Sequence, residues 1–183
     1  MPSQRVGGGV FRSKDEFIEG ANRILEEELS GYRFVSDQLV QITSEQEIVA
    51  IEEALAVPGA LRPVHEHIKQ AVVLLARKPE PDFRNSIKES ISAIESVAKI
   101  LAKKRKATLS DALSALSRKA QMHPSLKQGF EKLYGYTSDD DGIRHALLDE
   151  ANLDMEDARF MLVSCSAFVN YLVVKAQKAG ISL

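Results

Sequence analysis

The sequence predicts a mainly α protein, a helical bundle preceded by a small helical module with one β-hairpin. Three observations lead there. Apolar residues recur at helical spacing along most of the chain. One short stretch, "YRFVSDQLVQI", changes to aromatic and β-branched residues around Ser36-Asp37, the pattern of two short strands joined by a tight turn. The two prolines of "RKPEP" then forbid helix continuation and divide the chain into two modules. With 183 residues, 44% of them hydrophobic, the chain can bury a genuine core.

Residues 1–10 are expected to form a flexible tail, because three glycines with almost no apolar company cannot offset the entropy of ordering. Neither Gly-Lys-Ser nor Gly-Lys-Thr comes after them, so they do not form a phosphate loop. The first module spans 11–78. Ser13 and Glu16 have the spacing of a capping box and open a helix whose Phe17, Ala21, Ile24, Leu25 and Leu29 share a face, with Gly31 as its stop. After the hairpin, Ser44 and Glu47 repeat the capping pattern before Ile48, Ile51 and Leu55, and "VPGA" ends that helix. Leu61, Val64, Ile68, Val72 and Leu75 mark a third helix.

The second module, 82–183, reads as almost wholly helical. Ile87, Ile91, Ile94, Ala98 and Leu101 form one stripe of a long helix from about Asp82 to Lys104, and Ser86, Ser90 and Ala93 beside it are small enough for a close neighbour. Thr108 and Asp111 suit the cap of a shorter helix, and Pro124 the first turn of another. The final helix, about Met155 to Gln177, is apolar nearly all round between Phe160 and Val174. Such a helix needs cover on several sides, from its own bundle or from a second copy of the chain.

Composition narrows the function. A net charge of −2 and a pI near 6.1 argue against general electrostatic affinity for nucleic acid, so any RNA contact must be local. The residues after Glu80 carry a slight excess of Lys and Arg over Asp and Glu. Cys165 is the one cysteine, which leaves no internal disulfide and no thiolate zinc cluster, fits a reducing cytoplasm, and goes with the expectation of no cofactor. The N-terminus lacks the apolar core of a secretion signal. The apolar stretch Phe160 to Val174 reads as too short and too interrupted to span a bilayer, so no membrane partner is expected.

The stretches "PDFRNSIKESISAIESV", "LYGYTSDDDGIRHAL" and "DARFMLVSCSAFVNYL" together resemble the helical module of bacterial abortive-infection proteins of the AbiJ type, within the wider HEPN superfamily. Residues 11–78 resemble the small N-terminal region that accompanies that module. The resemblance implies a bundle of four or five helices that commonly dimerises, and for many members a metal-independent endoribonuclease of defence, toxin or RNA-processing systems. The family's usual motif sets an arginine and a polar residue several positions before a histidine. This sequence departs from it, because the arginine nearest to His145 is the adjacent Arg144.

The chemistry implied is attack of an RNA 2′-hydroxyl on the neighbouring phosphate. His145 would transfer the proton, Arg144 would clamp the phosphate oxygens, and free N–H groups at Gly142 would add an anion contact. Consecutive helical residues point about 100° apart, so one chain cannot easily converge both groups on one phosphate, whereas a homodimer could pair one from each copy. The adjacent Asp139, Asp140 and Asp141 would repel a polyanion. They do not form a metal site either, since consecutive acids diverge. The purely structural alternative is that an acidic residue or Ser138 caps a short helix, Arg144 pairs with the acidic turn and His145 packs beside Ile143 and Leu147.

Three further features are candidates. Arg84 and Lys88 flank the start of the long helix and suit phosphate contacts, while Glu89 points away from the isoleucine stripe and could orient His145. Ordinary surface ion pairing is the alternative for all three. In "KILAKKRKA", Lys103, Lys104 and Arg105 could bind an RNA backbone, or simply favour a helix C-terminus by their charge. His65 and His67 are two apart and cannot share a metal; His65 belongs at the edge of the core and His67 should face solvent. Cys165 among apolar neighbours should be inert packing. Two classes of function remain, a phage-defence HEPN-like homodimer acting on or binding RNA, and a non-catalytic interaction or regulatory module.

Overall fold

A computed structural model describes residues 13–103, 106–120, 122–138, 153–181 and 183. The architecture is mainly α with one small antiparallel hairpin. Helix α1 (Lys14–Glu27) starts where the Ser13 hydroxyl accepts the Glu16 N–H at 3.1 Å, and its first turn places Asp15 and Glu16 at the positive end of the helix dipole. It ends earlier than Gly31. Leu29 takes the left-handed position at φ 53°, with Leu29 N–H bonded to Glu26 O and Ser30 N–H to Leu25 O, a Schellman cap made without glycine.

Strands β1 (Arg33–Val35) and β2 (Gln38–Val40) pair in the register Arg33 with Val40, Phe34 with Leu39 and Val35 with Gln38. Alternation sends Val35 and Val40 into the core and Phe34 toward α1, where its ring meets Phe17 edge-on at 6.0 Å. The Asn22 side chain takes the place of a third strand. Its oxygen accepts the Phe34 N–H at 2.6 Å and its amide donates to the Phe34 carbonyl at 2.9 Å.

Helix α2 (Glu45–Leu55) is capped by Ser44, and a short 3-10 turn (Gly59–Leu61) leads into α3 (Arg62–Ala76). Helix α4 (Phe83–Ala102) returns antiparallel to α3. Its buried Ser86, Ser90 and Ala93 provide the predicted close-packing edge, and the Ser86 hydroxyl donates to the Ala71 carbonyl at 2.8 Å. Helix α5 (Leu109–Ala120) begins with a reciprocal cap, Thr108 Oγ1 accepting from Asp111 N–H and Asp111 Oδ2 accepting from Thr108 N–H. Helix α6 (Pro124–Ser138) lays Phe130 on Phe168 with ring centroids 3.6 Å apart.

Helix α7 (Met155–Lys178) opens with an Asp154–Asp157 capping box and buries Met161, Leu162, Cys165, Phe168, Val169 and Leu172 among others. It is 24 residues long and contains an 18-residue window of mean hydropathy 1.3, enough by length and composition alone to cross a membrane, and half of that window is buried inside the protein. One continuous core joins Val35, Val40 and Ile51 to Ile87, Leu113 and Leu162. Asn170 on α7 ties the last helix to α2 by donating to Ala50 O at 2.9 Å and Glu53 Oε2 at 3.2 Å. The apolar face expected of α1 is largely uncovered among the described residues: Phe17 is 45%, Ile24 55% and Leu29 91% exposed.

Candidate functional site

The start of α4 carries three of the predicted site residues, and the packing of α3 against it decides what each meets. Asp82 caps α4, its carboxylate accepting the Asn85 N–H at 3.1 Å and the Asn85 side-chain amide at 2.8 Å. The Asn85 amide, then the nearby charges of Arg77 and Arg84, hold the Asp82 carboxyl below the usual carboxylate range. Arg84 is half-buried and lies in the field of Asp82, while Lys88 is exposed. Glu89 turns toward α3, with its Oε2 2.7 Å from Nδ1 of His67. Both side chains are partly shielded, at 26% and 34% exposure. His67 is thus half-buried in a helix–helix contact, where the sequence had it facing solvent. His65 sits at the core edge as expected, its Nδ1 2.7 Å from the Leu55 carbonyl.

Lys103 follows α4 in the left-handed conformation at φ 52°, its backbone N–H capping the helix at the carbonyls of Lys99 and Ile100. Lys104, Arg105, Gly142, Arg144 and His145 lie outside the described residues, as do Asp139, Asp140 and Asp141. Cys165 is buried on α7, and burial pushes its thiol up to about 12, so it has almost no thiolate at neutral pH. Among the described residues no group of three or more His, Cys, Asp or Glu side chains is arranged to hold a metal ion.

A cleft of about 600 Å³ lies between α1, the hairpin and α2. Its apolar floor includes Ile18, Ile48 and Val49, and its walls carry Asp15, Glu19, Glu45 and Glu52 against Arg23 and Arg33. Burial raises the Glu52 carboxyl above its ordinary value, and a bond from the Ser36 backbone, at the hairpin turn, pulls the other way. Across the turn Lys14 Nζ reaches Asp37 at 3.1 Å, and Asp37 is held low by the Gln38 amide first and then by Lys14. This groove is mixed in character, with apolar, acidic and basic side chains along one lining.

Sequence reasoning did not single out Asn22 or Glu52. The signal for Asn22 was present, an amide one turn after Ile18 and beside Ala21 on the apolar side of an amphipathic helix, where a polar residue needs a buried partner. Glu52 offered no such signal, because its neighbour Ser36 is supplied by the hairpin turn only after folding.

Helix, hairpin and helix around a mixed cleft, continued by a helical bundle, define a mainly α protein with a small α/β N-terminal segment. Residues 10–57, which hold α1, the hairpin and α2, match the family model described as AbiJ N-terminal domain 4. The N-terminal part of the chain is therefore similar to the N-terminal region of AbiJ-type proteins, a likeness that suggests a context of abortive infection and phage defence. The match ends before α3. No curated protein and no solved structure matches the chain.

Proposed function

We propose that this protein works in phage defence as a cytoplasmic homodimer whose HEPN-like bundle acts on RNA, without a metal ion. The observation that carries this reading is the AbiJ-type segment at 10–57 joined through one core to the bundle α3–α7. In the mechanism, His145 of one copy takes the proton of the attacking 2′-hydroxyl as that oxygen bonds to phosphorus. The bond from phosphorus to the 5′-oxygen breaks to leave a 2′,3′-cyclic phosphate, and the proton passes to the departing 5′-oxygen, while Arg144 of the other copy holds the phosphate oxygens as charge builds. Gly142 contributes backbone N–H groups, and Arg84, Lys88, Lys103, Lys104 and Arg105 extend the path of the RNA backbone.

A second reading, a non-catalytic interaction module, is favoured by one specific contact. Glu89, a candidate orienter of His145, is engaged by His67 at 2.7 Å. The deciding experiment is cleavage of a mixed single-stranded RNA in excess EDTA by the parent chain and by His145→Ala. The proposal expects cleavage by the parent and a loss of about a hundredfold or more in the variant. Cleavage that survives the substitution, or that needs a divalent ion, removes the mechanism. A folded parent that leaves every RNA intact transfers the bundle to the second reading.

A further inference from the structure

Helix α7 carries a stripe that the described part of its own chain leaves open. Glu156, Phe160, Ala167, Val174 and Lys178 are exposed along one side of the helix, Phe160 by 58% and Val174 by 46%. The three central positions recur every seven residues, so they stay within about 20° of one another per step and form a seam. Asn170 on one flank is taken by α2, and Phe168 on the other by Phe130 of α6. The seam between them faces neither helix.

From this pattern we infer that α7 is a self-association surface, pairing antiparallel with α7 of a second copy about a two-fold axis beside Ala167. The inference rests on the homodimer reading above and adds which helix meets which, and in what register. The order along the seam is acid, aromatic, small, β-branched, base. Reversed, it is complementary to itself: an axis at Ala167 sets Phe160 of each copy against Val174 of the other, and Glu156 against Lys178 at both ends. Ala167 permits close approach at the axis, where a larger side chain would hold the helices apart. The helix ends agree, because the first turn holds Glu156 and Asp157 and the last holds Lys175 and Lys178, so antiparallel packing opposes unlike charges and unlike dipole ends. Parallel packing would set Glu156 against Glu156. A bilayer would satisfy Phe160 and Val174 without using the charged ends, and it would have no need of a palindromic order.

The test uses the full chain and reads sedimentation velocity and oxidative cross-linking. On a Cys165→Ala background, Ala167→Cys should give a covalent dimer on mild oxidation, because only a residue beside the axis meets its own copy at disulfide distance. Glu156→Lys and Lys178→Glu should each weaken the dimer about tenfold, and the two together should restore it to within about threefold, since the swap recreates both pairs. All of these positions except Cys165 are exposed, and circular dichroism confirms that each variant is folded. A dimer that neither cross-links at 167 nor responds to the charge swaps overturns the seam while leaving the homodimer reading standing. A monomer at all concentrations overturns both. A monomer that floats with phosphatidylcholine vesicles through Phe160 would assign the stripe to a lipid surface and overturn the inference as well.

Discussion

Glu89 on α4 lies 2.7 Å from Nδ1 of His67 on α3, a contact between residues 22 positions apart that only the antiparallel pairing of the two helices creates. Removing either partner leaves the other half-buried without its bond. His67→Ala and Glu89→Ala should each lower stability by about 1 kcal/mol, and the double variant by little more than either alone. Urea denaturation of the four proteins measures the coupling. Additive losses would show that the contact contributes nothing.

Asp82 supplies a pH signature. Its folded pKa lies below the ordinary 3.8, so its contribution to stability is fully present above that value and is lost as pH falls through the lower folded value. Asp82→Ala should destabilise the protein by about 1 kcal/mol at neutral pH through loss of the α4 cap. The gap in melting temperature between parent and variant should then close progressively below about pH 4. A gap that is constant from pH 7 to pH 3 would contradict the assignment.

Leu29 holds a left-handed backbone at φ 53° with its side chain 91% exposed, so it carries conformational strain and gains almost no burial. Leu29→Gly should raise stability by about 0.5–1 kcal/mol, against the usual penalty for introducing glycine. Thermal unfolding of the single variant decides it.

Asn22 closes the free edge of β1 with two hydrogen bonds to Phe34. Asn22→Ala should cost about 2 kcal/mol and raise amide exchange at Phe34 well above that at Val35. Asn22→Asp keeps the acceptor but places a carboxylate against the Phe34 carbonyl, and should not rescue the loss. Equal exchange at the two strand positions in Asn22→Ala would contradict the edge-closing role.

Much of the fold was legible in the residues themselves. The isoleucine stripe from Ile87 to Leu101, the caps at Ser13, Ser44 and Thr108, and the turn at Ser36-Asp37 all rest on local periods and short-range hydrogen bonding, which survive into the folded chain. What a face meets is not local. The amphipathic pattern of α1 promised a buried side, yet Phe17 and Ile24 remain about half exposed, because α1 meets the small hairpin through the Phe17–Phe34 ring contact and the Asn22 bonds to Phe34, a partner too small to cover the whole face. His67 was placed in solvent for the same reason, since helical phase alone does not reveal a carboxylate arriving from another helix. The Arg144–His145 pair, read from a resemblance, lies outside the described residues.

The bond from Asn170 to the Ala50 carbonyl links positions 120 apart, and α7 buries its apolar residues in the same core that holds Ile51 and Val35. The segment from α1 to α2 therefore lacks part of its packing floor until α7 has left the ribosome. Folding of this segment waits for the helices that follow it, and a fragment ending near residue 57 would show Ile51 and Ala54 to water and be a poor candidate for independent expression or for grafting onto another protein.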